Sequence, residues 1–88
     1  MPKVSIIIPC YNQAEFLLQA LQGLQEQTLQ DFECIIVDDG STDQSAQIAE
    51  DFIKGDHRFR LIKKANGGTA TARNMGLRAA TGEYVQFL

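Results

Sequence analysis

Phe32-Glu33-Cys34-Ile35-Ile36-Val37-Asp38-Asp39-Gly40-Ser41-Thr42-Asp43-Gln44 decides the fold. Phe32–Val37 is a short apolar run rich in β-branched residues, the signature of a strand buried on both faces. It ends abruptly in two carboxylates and a glycine. Ser41-Thr42-Asp43-Gln44 then reads as a capping box, with Ser41 as the cap and Gln44 reaching back. A helix is expected from there to about Lys54, its inner stripe being Ala46, Ala49, Phe52 and Ile53, with Gly55-Asp56 as the stop.

The same alternation extends in both directions. Upstream, Val4–Pro9 is a second buried strand closed by proline. Tyr11-Asn12-Gln13 is a loop, and Ala14 to Thr28 has helical period, with Phe16, Leu17, Ala20, Leu21 and Leu24 inward and glutamines outward. Gly23 weakens that helix. Downstream, Phe59–Lys63 is a shorter strand and Asn66-Gly67-Gly68 a loop. Thr69–Ala80 is a helix with small inner residues (Ala72, Gly76, Ala79), stopped by Thr81-Gly82, and Tyr84–Leu88 begins a fourth strand. The order β-α-β-α-β-α-β implies parallel pairing with right-handed crossovers, a three-layer α/β/α domain. In such sheets ligands bind at the carboxyl ends of strands near the switch in strand order. That rule selects Pro9-Cys10-Tyr11-Asn12, Asp38-Asp39-Gly40-Ser41 and the loop toward Asn66.

Eighty-eight residues allow one domain with a thin core. The longest apolar run, Ile6-Ile7-Ile8, is far short of a membrane span, and Met1-Pro2-Lys3 carries no signal-peptide pattern. The net charge of −3 argues against nucleic acid as partner. It is unevenly spread, about −8 up to Asp51 and +5 beyond. Either the two halves attract each other within the domain, or acids and bases form opposite lips of a nucleotide cleft. Cys10 and Cys34 lack zinc-ligand spacing and would lie at opposite ends of parallel neighbours. Free thiols and a reducing, cytoplasmic location are expected.

The strand-end residues each admit two readings. Asp38 and Asp39 could bind a metal, a base or a sugar, or one could cap the following helix; alternation gives them different faces. Tyr11 either stacks on a flat base or covers the sheet edge. Gly67-Gly68 leads into a helix N-terminus whose free amides suit a phosphate, or is an ordinary loop with positive φ. Arg73 either meets a diphosphate, pairs with Asp39, or is a surface arginine. His57 is expected to be exposed, and no nucleophile triad is present. A receiver-like module using Asp38-Asp39 for magnesium is a competing reading, but such modules carry the acidic pair after the first strand, not the second.

Taken in order, Val4–Asn12, Gln27-Thr28, Phe32-Glu33, Val37–Asp43, Asn66-Gly67-Gly68, Ala72-Arg73-Asn74, Gly76-Leu77 and Gly82-Glu83-Tyr84 resemble the N-terminal part of the family 2 glycosyltransferases over essentially the whole chain. The resemblance implies the GT-A fold, a Rossmann-like domain, and a nucleotide-sugar site with a UDP-sugar as donor. By that analogy Pro9, Cys10 and Tyr11 border the base, Tyr11 stacking on it. Asp39 bonds the base edge and Asp38 supports the pocket, while Gly68 and Arg73 face the nucleotide. The family's metal-binding acidic motif (for Mg or Mn) would follow just after Leu88, and its catalytic base lies much later. The 88 residues are therefore expected to be the nucleotide-binding half of an inverting transferase acting in polysaccharide biosynthesis, inactive alone. Its parent would act on a glycan or lipid-linked acceptor. An unpaired Tyr84–Leu88 edge is expected to support a homodimer.

Overall fold

A computed structural model describes residues 2–27 and 30–88. The elements are β1 (Val4–Cys10), α1 (Ala14–Glu26), β2 (Phe32–Asp39), α2 (Ser45–Gly55), β3 (Phe59–Lys64), α3 (Thr69–Ala79) and β4 (Tyr84–Phe87). The four strands form one parallel sheet in the order β3-β2-β1-β4. The expected α/β/α architecture is thus the observed one. Thr28, expected within the first helix and as part of a family motif, lies outside the described residues.

The two central strands explain their own composition. Alternate side chains of β1 and β2 enter different cores. Ile6, Ile8, Cys34 and Ile36 pack under α1 and α2 with Leu17, Leu21 and Ala49, whereas Ile7, Ile35 and Val37 pack under α3 with Ala72. A strand covered on both sides needs apolar residues at every position, hence the unbroken isoleucine runs. Pro9 is tolerated in this central strand for a local reason. The carbonyl of Ile7 accepts from the Leu88 amide, so odd-numbered residues of β1 turn their backbone toward β4. The pairing with β4 stops at Ile7↔Phe87, so the missing N–H of Pro9 falls beyond the end of that ladder.

The helices differ from expectation in detail. Phe16 is 50% exposed, because α1 meets the sheet along a narrow stripe of Leu17 and Leu21 flanked by Ala20 and Leu24. The Ser41/Gln44 capping box does not form. The helix begins at Ser45, whose amide donates to Asp43 Oδ1 at 2.8 Å, while Ser41 turns to another loop. Helix α3 lies close on the sheet because Gly76 lets it. A Cβ there would sit 2.5 Å from Ile7 Cγ2. At the amino end of the sheet Ser5 Oγ donates to Glu33 Oε2 at 2.5 Å and accepts from the Gly82 amide at 2.8 Å. Glu33 also accepts from Thr81 and Arg60. This knot, anchored on the buried Ser5, fixes the turn that sends the chain into β4.

Cys10 and Cys34 are both free and buried. The register sets Cys10 opposite Asp38, four residues along β2 from Cys34, so the thiols stand about 13 Å apart at roughly 3.3 Å per residue. His57 is exposed as expected.

Two glycine substitutions separate crowding from helix propensity. Gly76→Ala should cost about 1–3 kcal/mol through overpacking against Ile7. Gly23→Ala, where a Cβ meets nothing within 4 Å, should stabilise by about 0.5–1 kcal/mol. Urea unfolding of the two variants measures both signs.

Candidate functional site

The carboxyl end of the sheet is built from three loops, after β1, β2 and β3, and two polar residues lace them together. The first is Asn12. Its backbone takes the left-handed conformation, φ 50°, which asparagine tolerates better than most residues. Its side-chain Oδ1 accepts from the amides of Thr42 at 2.7 Å and Asp43 at 3.2 Å, and its own amide donates to Ser41 Oγ at 3.0 Å. Asp43 extends the seam. Its Oδ2 accepts from the Ala14 amide in the first turn of α1, while its Oδ1 accepts from Ser45 in the first turn of α2. One carboxylate thus serves two helix N-termini, where negative charge is favoured. The Ser45 hydroxyl and amide hold Asp43 below the ordinary carboxylate range.

The second lacing residue is Asp39. Oδ1 accepts from Lys64 Nζ at 2.5 Å and from the Gly67 amide at 3.0 Å, and Oδ2 accepts from the Gly68 amide at 3.0 Å. Its carbonyl accepts from Asn66 Nδ2 at 3.1 Å. The carboxylate is 4% exposed. The Lys64 hydrogen bond, and then the two glycine amides, lower its pKa despite the burial. Gly40, at φ 75°, is needed beside it, because a Cβ there would meet the Asn66 amide nitrogen at 2.8 Å.

Between these loops and the start of α3 lies a cleft of about 240 Å³ lined by Pro9, Cys10, Tyr11, Gln13, Asp39, Thr69 and Ala72. Tyr11 stands on its lip, 47% exposed, available to a planar ligand rather than buried against the sheet edge. Cys10 lines the cleft while its thiol is packed in the α1/α2 core, where burial above all raises its pKa. Cys34 is pushed up to about 12 by burial. Neither is an activated nucleophile.

Four of the residues expected at the site, Pro9, Cys10, Tyr11 and Asp39, come together in this lining. Gly68 adjoins it as the N-cap of α3, at φ 98°, but its amide and that of Gly67 are engaged by Asp39 and are not free for a phosphate. Asp38 lies on the opposite face from Asp39, as alternation requires. It is 5% exposed, and its Oδ1 has no hydrogen-bond partner. Neither Asp38 nor Asp39 caps α2. Arg73 is exposed with its guanidinium 5.6 Å from the centre of the Phe87 ring, away from the lining, and the cation beside Asp39 is Lys64 instead. Lys64, Gln13 and Thr69 carry no motif that marks them in the sequence. Among the described residues no three His, Cys, Asp or Glu side chains gather into a metal-binding group. Both Asp39 oxygens already face protein donors, so these residues do not fit a divalent cation.

Acid should loosen the molecule in a defined window. Glu33, Asp39, Asp43 and Asp56 all have lowered pKa values in the fold, that of Asp56 falling to about 2 chiefly through its hydrogen bonds with Arg58. The stabilisation they provide is complete above the unfolded values, 3.8 for aspartate and 4.5 for glutamate. It is lost as pH falls through the lower folded ones. Thermal unfolding should therefore be flat from neutral pH to about 5 and drop steeply below about 4. Asp56→Asn should flatten the most acidic part of that fall.

The sequence profile described as Glycosyl transferase family 2 matches residues 5–88. The chain is similar to the uncharacterised glycosyltransferase EpsJ of Bacillus subtilis, 49% identical over 100% of this chain and 26% of that protein. It is also similar to glycosyltransferase GlyG of Streptococcus pneumoniae, 42% identical over 93% of this chain and 28% of that one. It spans about a quarter of the length of these relatives. Among solved structures, residues 1–349 of TarS from S. aureus in complex with UDP superpose with a TM-score of 0.88 at 34% identity, covering 98% of this chain and 26% of that 1–349 chain. The mannosyltransferase PcManGT of Pyrobaculum calidifontis, in complex with GDP-Man and Mn2+, superposes with a TM-score of 0.87 at 31% identity, covering 96% and 26%.

Proposed function

The chain belongs to glycosyl transferase family 2, and from that premise we propose that its cleft receives the base of a nucleotide-diphosphate sugar, with UDP as the nucleotide. The observation that carries the reading is the pairing of an exposed Tyr11 ring with the Asp39 carboxylate in one lining, at the carboxyl end of adjacent parallel strands. Stacking on Tyr11 supplies affinity for a flat ring, and Asp39 accepts a hydrogen bond from a ring N–H. Pro9 and Cys10 shape the wall behind the ring, Gly68 places the start of α3, and Asp38 backs the pocket from the other face of β2. Arg73, beside Phe87, contributes from the rim. UDP bound to TarS, a relative of the same fold at 34% identity, supports uridine as the nucleoside.

In this reading residues 1–88 are the nucleotide-binding part of a larger cytoplasmic transferase engaged in polysaccharide biosynthesis, and membrane association of that parent protein is compatible with it. None of the helices among the described residues is long and apolar enough to cross a membrane. The complete enzyme transfers the sugar to a glycan or other hydroxyl acceptor with inversion at the anomeric carbon. The divalent metal, Mg or Mn, and the catalytic base belong to residues outside this chain, and the chain alone binds without transferring. The GDP-Man and Mn2+ bound by PcManGT support a metal-dependent nucleotide-sugar site in the family.

Titration of the chain with UDP, followed by amide NMR, should shift residues around Tyr11, Asp39 and Gly68. Tyr11→Ala should weaken binding by about 1–3 kcal/mol. Unmoved resonances at millimolar UDP would overturn the proposal.

We further propose that the β4 edge supports a homodimer of this chain. Tyr84, Val85 and Phe87 of edge strand β4, and Leu88 just after it, are exposed, and among the described residues β4 pairs only with β1. Light scattering at rising concentration should show the mass doubling, and Val85→Lys should restore the monomer; a wild-type monomer throughout is the contrary result.

A further inference from the structure

An ionised carboxylate offers about four acceptor positions. On Asp39 three are taken by Lys64 Nζ, the Gly67 amide and the Gly68 amide, which leaves one on Oδ2. Lys64 comes from the last residue of β3, directly opposite Asp39 in the β2–β3 register. Its ammonium also donates to the Ala65 carbonyl at 2.7 Å, and its side chain is only 11% exposed. Gly67 folds tightly over it: a Cβ on that residue would lie 2.9 Å from Nζ. The lysine is thus stapled at once to the carboxylate and to the loop whose amides bind the same carboxylate. A surface lysine drawn to a nearby acid would be held by one such contact and would stay largely in solvent.

We infer that Lys64 is a positioning residue of the nucleotide site: it fixes the Asp39 carboxylate and the 65–68 loop as one unit, leaving Asp39 a single acceptor position for the ligand and no proton to donate. The consequence is specificity for a ring that presents an N–H donor. A base edge that offers only an acceptor there meets a carboxylate that cannot turn or protonate to suit it. Among the described residues Lys64 is the only charged side chain that faces Asp39. Asp38 and Lys63 lie on the other face of the sheet, where Lys63 pairs with Glu50, and Arg73 of α3 lies over Phe87. The neighbouring end of β1 supplies Pro9, Cys10 and Tyr11, none of them an acidic or basic residue, and α1 supplies no acidic or basic residue to the lining.

This inference rests on the cleft being a nucleotide site, and one set of titrations tells the two apart. UDP binding is measured for the wild-type chain, Lys64→Met and Lys64→Arg at about pH 7.5 and about pH 5, spanning the range in which an unassisted aspartate begins to protonate. The Gly67 and Gly68 amide resonances are followed against pH without ligand. Lys64→Met should bind UDP at least about tenfold more weakly, the loss of one charged hydrogen bond. Lys64→Arg should recover most of the affinity, an outcome that loss of folding alone does not produce. In the wild type the two glycine amides should titrate together below the ordinary aspartate range, and in Lys64→Met their midpoint should move up. Wild-type UDP binding that Lys64→Met retains within about twofold at both pH values overturns the inference alone. Absence of UDP binding by the wild type overturns the reading of the cleft and the inference with it. Should Lys64→Met fail to fold, a wild-type glycine-amide midpoint at the ordinary aspartate value still refutes it.

Discussion

The carboxylate of Asp39 is the point on which the carboxyl end of the sheet depends. Parallel sheets leave their strand ends as separate loops, and nothing in backbone pairing fixes one loop against the next. Here Asp39 ends β2 and gathers the tail of β3 and the entry to α3 through Lys64, Gly67 and Gly68. Asn12 does the same between the loops after β1 and β2. The two lacings share the segment 39–43, so all three loops are set against one another by the protein's own hydrogen bonds. A neutral amide at position 39 would present a donor to donors, and a longer acid would carry its oxygens past the glycine amides. Exposure of Tyr11 follows from the same arrangement. Asn12, in its left-handed turn, directs the chain out of β1 and back toward α1, and Tyr11 is left on the lip.

The sheet supplies the frame for this lacing. With the order β3-β2-β1-β4, the chain first moves one way from β1 and later returns to its other side. Helices α1 and α2 consequently cover one face and α3 the other, and the crevice opens where the direction changes. Gly76 matters to the cleft although it lies far along α3. By letting the helix sink against Ile7, it sets the depth at which Thr69 and Ala72 close the wall opposite Tyr11.

The architecture was legible in the sequence because it rests on local periodicity. Buried strands and amphipathic helices alternate with clear glycine and proline punctuation, and parallel crossovers leave few topologies. The separation of Asp38 from Asp39 was legible for the same reason, since strand alternation is strict. The partners of these residues were not. Asn12 meets residues about thirty positions away, and Lys64 reads as an ordinary basic residue at a strand end until β3 is laid beside β2. Ser41 matched the local pattern of a helix cap but bonds across to the neighbouring loop, a tertiary contact overriding a propensity. Gly67 and Gly68 looked like free donors because a sequence shows which amides a loop has, not which acceptor reaches them first. The family likeness assigned Tyr11 and Asp39 to one site and both line the same cleft, yet it gave no sign that Asp39 would be so fully engaged.

The division of charge along the chain is resolved by the same contacts. Lys64 with Asp39, Lys63 with Glu50 and Arg60 with Glu33 join the basic second part to the acidic first, so the imbalance is largely spent on holding the fold. What remains in the cleft is instructive. Its lining carries one charge, Asp39, already matched by Lys64 behind it. A pocket of this kind is complementary to a neutral ring with a hydrogen-bond donor, and it offers a diphosphate little electrostatic attraction. On the proposed reading, the two ends of a nucleotide sugar call for different chemistry, and these residues build the end that takes the base.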